Sequence, residues 1–299
     1  MTFGGKRNGV DGWLVLDKPA GMTSTHAVSR LKRLFGAKKA GHAGTLDPIA
    51  TGVLPVAFGE ATKTVPYVQD GEKSYRFTVR WGIETTTDDC EGEAVAHSAK
   101  CPAPAEIAAL LPRFTGAIAQ MPPAFSALKI NGERAYDLAR SGMAPALSAR
   151  IVTVYSFELI EAAQDTAIFD ARCGKGTYVR ALARDLGRSL GCYGHVSALR
   201  RTRVGPFCET DATRLHELEF DASNLQVLLS VEAGLSELQR VVVDRGGAAR
   251  LRRGQPVLLR GLDMPADGLA YAACGGAVVA VGAVEKGALV PGRIFNLSV

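Results

Sequence analysis

The sequence predicts an α+β fold: a mixed, largely antiparallel central sheet flanked by helices, then a small β-barrel-like C-terminal domain. Three observations support this. Segments that alternate apolar and polar residues stand beside segments with apolar residues at helical spacing. The two kinds are mixed without the regular βαβ order of a parallel sheet. After about residue 235, short apolar runs (Val241–Val243, Val257–Leu259, Ala277–Val281) alternate with glycine-rich turns, the texture of a compact β unit. The expected domains are 1–235 and 236–299.

Trp13 to Leu16 reads as a strand that enters the turn Asp17-Lys18-Pro19-Ala20-Gly21. Thr23-Ser24-Thr25 offers an N-cap to a helix carrying Ala27, Val28, Leu31, Leu34 and Phe35 on one face, and Gly36 ends it. Gly41 to Gly52 reads as a glycine-rich loop around Pro48, with Val53 to Phe58 leaving it as a strand. In Ser74 to Trp81, residues Tyr75, Phe77, Val79 and Trp81 share one face. Asp88 to Glu93 is an acidic turn, Glu106 to Phe114 a short helix broken by Pro112, and Arg134 to Arg140 another helix. Ala167 to Cys173 alternates as a strand. Thr177 can cap the helix whose stripe is Val179, Leu182, Ala183, Leu186 and Leu190, with Gly191 beyond its end.

Bulk properties narrow the function. Of 299 residues, 47% are hydrophobic and 22% charged, which is ordinary for a globular protein. No apolar run approaches the roughly 20 residues needed to span a bilayer, and the polar start lacks a secretory h-region. Six cysteines occur without a C-x-x-C pair, which points to reduced thiols in the cytoplasm rather than a metal site. Net charge is only +5, but basic residues are segregated. Eight basic against two acidic side chains lie in 1–40, eight against one in 172–203, and six against one in 240–260. Such segregation suits a polyanion, whose counterions are released on binding; solvated faces that never meet are the other reading.

The chemistry concentrates in Gly41-His42-Ala43-Gly44-Thr45-Leu46-Asp47-Pro48-Ile49-Ala50-Thr51-Gly52-Val53-Leu54-Pro55. The glycines permit close backbone approach. Pro48 pushes Asp47 toward extended geometry, so the carboxylate can be aimed; an aspartate that merely closes a turn is the alternative. As a whole, the string is similar to the motif G-x-x-G-x-L-D-P-x-A-x-G-x-L-P of the tRNA pseudouridine-55 synthases, the TruB family. Further matches follow in family order: Asp17 to Ser24, Lys73-Ser74-Tyr75, Pro122 to Lys129, Cys173 to Arg180, and Leu199-Arg200-Arg201. One departure is Phe125, where a tyrosine is common. The resemblance covers roughly 12–212. It is fainter beyond 235, where Leu251 to Gly254 and Pro291-Gly292-Arg293 are compatible with a small PUA-like RNA-binding domain.

The resemblance implies isomerisation of uridine to pseudouridine at position 55, in the T loop of tRNA. It implies Asp47 as the catalytic carboxylate, Arg180 as its partner, and a catalytic Tyr75 stacked on the uracil with its hydroxyl near the C5 proton that leaves last. Leu199 packs against the base, and His42, Tyr178, Lys18 and Arg200 serve RNA binding. Read without it, Arg180 points to solvent or a phosphate, Tyr75 and Leu199 are core residues, and Lys18 only shapes a turn. No cofactor or metal is expected, because the reaction is redox-neutral and stays within one nucleotide. The expected partner is the tRNA T-arm, met by a monomer that needs no partner protein. The competing reading is a non-catalytic RNA-binding or tRNA-folding module. A guide-RNA-dependent synthase fits less well than a stand-alone bacterial form. A glycosidase needs a second acid-base carboxylate that no motif supplies.

Overall fold

The computed structural model describes residues 9–126, 128–130, 132–141, 146–220, 225–259 and 265–297. Lys6, Arg7 and Arg260, counted in the basic segments above, and Ala127 of the Pro122 to Lys129 match lie outside them. The central sheet has ten strands: β1 (Gly12–Lys18), β2 (Ala40–His42), β3 (Thr51–Phe58), β4 (Lys73–Trp81), β5 (Gly116–Gln120), β6 (Arg150–Ala162), β7 (Thr166–Cys173), β8 (Gly194–Val204), β9 (Phe207–Cys208) and β10 (Thr213–Arg214). Its order is β10-β1-β3-β8-β4-β7-β6-β5, with β2 on β3 and β9 on β8. Only β1–β10 and β3–β8 pair in parallel. The sheet is therefore mixed and largely antiparallel, as expected.

Among the helices are α1 (Ser24–Leu34), α2 (Val65–Asp70), α3 (Pro104–Leu110), α4 (Ala135–Arg140), α5 (Val179–Leu190), α6 (Leu215–Phe220) and α7 (Arg245–Arg252). Thr23 caps α1 by accepting from the His26 amide. Helix α5 buries the five expected stripe residues, and its chain turns left-handed at Gly191, φ 67°. Burying a leucine such as Leu182 or Leu186 is worth roughly 1.5–3 kcal/mol, which fixes α5 against the sheet face shared by Phe77, Val79 and Phe169.

A second, five-stranded sheet is formed by β11 (Gln239–Val242), β12 (Val257–Leu258), β13 (Gly268–Cys274), β14 (Ala277–Glu285) and β15 (Ala288–Ile294), in the order β11-β13-β14-β15-β12. It curls into a half-barrel. Tyr271, Val278, Val281 and Phe295 join Trp13, Val15, Val53 and Ala57 in one apolar cluster. The C-terminal sheet is thereby docked on the face of β1 and β3 opposite α5.

Several local expectations are corrected. The loop after α1 is not irregular throughout, because residues 40–42 pair with β3. Thr177 does not cap α5; its hydroxyl donates to the Gly174 carbonyl, and Tyr178 holds the N-cap position. The acidic turn begins inside the protein, with Asp88 and Asp89 buried.

Candidate active site

The loop carrying Asp47 is pinned from three sides. Ser24, at the start of α1, accepts from the Leu46 amide at 2.8 Å and donates to the Leu46 carbonyl at 3.1 Å. Lys18 is fully buried and donates to the carbonyls of Pro19, Met22 and Pro48 at 2.8, 2.7 and 3.4 Å. Desolvation pulls its pKa down to about 8, against the attraction of Asp47. Arg201, only 2% exposed, donates to the carbonyls of Val53, Thr45 and Gly44 at 2.9, 3.2 and 3.0 Å. Close packing completes the frame: a Cβ on Gly52, φ 98°, would sit 2.2 Å from the Arg201 carbonyl oxygen.

Asp47 faces a cleft of about 410 Å³, lined also by Tyr75, Tyr178, Arg180, Leu199 and Arg201. Arg180 meets the carboxylate with two nitrogens, Nε to Oδ2 at 2.9 Å and Nη2 to Oδ1 at 3.2 Å. Its other donors are held as well. Nη1 donates to the Thr87 carbonyl at 2.7 Å and lies 3.4 Å from Asp89 Oδ2, and Nη2 donates to the Phe125 carbonyl at 2.9 Å. With Asp47 in front and Thr87, Phe125 and Asp89 behind, the guanidinium is held in one orientation. The Arg180 side chain is 6% exposed and that of Asp47 34%, so the carboxylate is the member of the pair that reaches the cleft. The Phe125 contact uses a backbone carbonyl, so the departure from tyrosine at this position leaves it intact.

Strand geometry explains which expected residues meet. On β8 the side chains alternate, so Leu199 and Arg201 face the cleft while Arg200 faces away. Register places Arg201 beside Tyr75 and Leu199 beside Phe77. Burial raises the Tyr75 pKa, partly offset by Arg201. Burial likewise raises that of Tyr178. Asp47, Tyr75, Tyr178, Arg180 and Leu199 therefore share the cleft. Lys18 supports it from beneath, and His42 ends β2 outside its lining. Arg200 is bound elsewhere, to Asp17 at 3.0 Å and to Glu209.

The comparisons fit this geometry. The family model described as the TruB family pseudouridylate synthase N-terminal domain matches residues 32–179, and that of the tRNA pseudouridylate synthase B C-terminal domain matches 180–244. A tRNA pseudouridine synthase B of Rhodopseudomonas palustris is 57% identical over 97% of this chain and 82% of its own length. The chain belongs to the TruB family of pseudouridylate synthases. A second relative of that name, from Rhizobium meliloti, is 53% identical over 96% of both chains. Among solved structures, one chain of a Cbf5-Nop10-Gar1 complex aligns with TM-score 0.72 and 26% identity, over 97% of this chain and 84% of that one.

The sequence reading of this TruB chain missed Arg201, Asp89 and the role of α5 as a whole. Arg180, Arg184 and Arg188 recur every fourth residue on α5 and clamp Asp89, Asp88 and Glu84 in turn. Arg184 Nη1 lies 2.9 Å from Asp88, and Arg188 meets Glu84 at 2.6 and 2.8 Å. Asp88 is strained at φ 61°, and burial pushes its pKa up to about 6 in spite of Arg184. The signal was present: three arginines spaced by four on a helix with a buried stripe.

Proposed function

We propose that this chain, a tRNA pseudouridine synthase, isomerises the uridine at position 55 in the T loop of tRNA with Asp47 as its catalytic residue. The observation that carries the reading is the Asp47 carboxylate, open to the cleft and gripped from behind by a buried Arg180 that Thr87 and Phe125 hold in place.

Breaking the N-glycosidic bond develops positive charge on the ribose. An ionised carboxylate answers it by electrostatic stabilisation, by attack, or by removing an adjacent sugar proton. Arg180 favours the ionised form and sets its direction. A uridine stacked in an RNA loop cannot present its sugar to Asp47, so the nucleotide is flipped out at a cost of a few kcal/mol. Phosphate contacts from the basic segments offset that cost. Tyr75 then stacks on the uracil and Leu199 packs against it. Because its pKa is raised, the Tyr75 hydroxyl is neutral at pH 7, a hydrogen-bonding group rather than a ready phenolate base. Having turned over, the uracil rejoins through C5, whose proton leaves last.

His42, Tyr178, Lys18 and Arg200 act in RNA binding on this reading, Lys18 by shaping the loop. Arg200 reaches a phosphate only by exchanging it for Asp17 or Glu209. Residues 1–235 form the catalytic domain and 236–299 the RNA-binding domain, in which α7 carries Arg245, Arg250 and Arg252. No helix among the described residues is long and apolar enough to cross a membrane. The protein works in the cytoplasm as a monomer, without cofactor or partner protein. The test is to incubate it with an unmodified tRNA transcript in the absence of metal and map pseudouridine. Formation at position 55 supports the reading; no product, or product elsewhere, overturns it.

A further inference from the structure

The segment that follows β5 is stitched to the start of α5 at three points. Arg184 Nη2 donates to the Met121 carbonyl at 2.7 Å, and Arg180 Nη2 to the Phe125 carbonyl at 2.9 Å. The third point is made by Gln120, the last residue of β5, whose side chain is 2% exposed. Its Oε1 accepts from the Tyr178 amide at 2.8 Å, and its Nε2 donates to the Tyr178 carbonyl at 3.1 Å. One side-chain amide thus bonds both backbone polar groups of a single residue, as a neighbouring strand would, while the Tyr178 carbonyl also accepts from the Leu182 amide at 3.1 Å in the first turn of α5.

That residue occupies a decisive place. Tyr178 is the N-cap position of α5, its backbone is extended (φ −105°, ψ 114°), and it has no side-chain cap. Arg180 follows two residues later. The cleft is lined by the whole run from Gly174 to Arg180. The run before Tyr178 is a glycine-containing turn held mainly at Gly174, by the Thr153 carbonyl and the Thr177 hydroxyl, and a helix end is the part most prone to fray. The Gln120 clamp holds the backbone at the N-cap of α5, ahead of the arginine ladder that holds the turns beyond it.

We propose that Gln120 is a positioning residue for the reaction, acting through the Tyr178 backbone to hold Arg180, and with it Asp47, at the cleft. This rests on the function proposed above. It does not require Gln120 to touch RNA.

Replacing the side chain separates this role from general stability. Gln120→Glu keeps the shape. As a carboxylate it still accepts from the Tyr178 amide, but its second oxygen opposes the Tyr178 carbonyl. As a neutral acid it carries a proton that donates to that carbonyl and restores the pattern. Burial favours the neutral form. The single-turnover rate of Gln120→Glu relative to wild type, at saturating tRNA, therefore rises as pH falls. Gln120→Met, with neither bond, shows no such recovery. We expect both variants to lose about 10- to 100-fold in rate near pH 8, the scale of a small misplacement of reacting groups, with tRNA affinity changed by less than threefold.

The measurement is pseudouridine formation from a tRNA transcript between pH 5.5 and 8.5, with affinity measured in parallel. A pH-independent ratio for Gln120→Glu overturns the proposal, as does a loss confined to affinity. If Gln120→Met does not fold, the Gln120→Glu profile alone decides. Wild-type protein and Asp47→Asn serve as controls. Absence of product with wild type refutes the underlying function, whereas an active wild type, an inert Asp47→Asn and unimpaired Gln120 variants refute only the role of Gln120.

Discussion

Consider Arg180→Lys, which keeps the charge and removes the fork. The guanidinium holds Asp47 through two nitrogens at 2.9 and 3.2 Å while Thr87, Phe125 and Asp89 hold the same group from behind. A single ammonium has three donors on one atom and cannot face all of these partners. It retains at most one bond to Asp47. Hydrogen bonds to charged groups contribute about 1.5–3 kcal/mol each. Losing one of them, together with part of the aim, gives roughly 2–4 kcal/mol in the transition state. At 1.36 kcal/mol per tenfold, the rate falls about 30- to 1,000-fold. The assay is a rapid-quench single turnover with excess enzyme on a transcript tritiated at uracil C5, so that binding does not limit the signal. A rate within threefold of wild type, with Asp47→Asn inert, would show that the fork does not steer the carboxylate.

Other perturbations test separate parts of the site. Asp47→Asn abolishes pseudouridine formation but leaves tRNA affinity within about tenfold, because a carboxylate facing RNA hardly aids binding; measurable turnover refutes the assignment. His42→Ala weakens tRNA binding or loop opening more than chemistry, and a single-turnover loss as deep as that of Asp47→Asn contradicts this. Asp88→Asn tests the buried acid. Its pKa is raised from 3.8 to about 6 by burial, with Arg184, Arg180 and Arg188 opposing and Glu84 assisting. The folded protein thus keeps a proton that the unfolded chain has lost, and wild-type stability declines as pH rises from about 4 to about 6. In urea unfolding, the Asn variant gains up to about 3 kcal/mol relative to wild type across that window; a difference that does not change with pH counts against it.

Much of the architecture was legible because local patterns agreed with the fold. The alternation of Tyr75, Phe77, Val79 and Trp81 marks β4, and the α5 stripe with Gly191 marks that helix. Strand β6 left no such trace. Its pairing with β7 shifts register between Val154 and Ser156 and again between Leu159 and Glu161, so its buried residues Val152, Val154 and Phe157 do not keep period two. Asp47 was legible through its motif, and the Arg180 pairing through resemblance. Arg201 was not, since three arginines at 200, 201 and 203 read as a basic surface. Its acceptors are backbone carbonyls some 150 residues earlier, and carbonyls leave no mark in a sequence. Asp88 and Asp89 were read as a turn for the same reason: their arginines arrive on α5, about 90 residues later.

The arginine ladder of α5 makes the helix a keyed shaft. Three notches, one per turn, engage the acids between Glu84 and Asp89, so neither rotation about the axis nor sliding along it preserves more than a fraction of the fit. The angle at which the enzyme presents its carboxylate is therefore set over a length of three turns rather than at one contact. Inserting or deleting a residue between 84 and 89 would put the teeth out of phase, and the site would lose its bearing while every residue lining the cleft stayed unchanged.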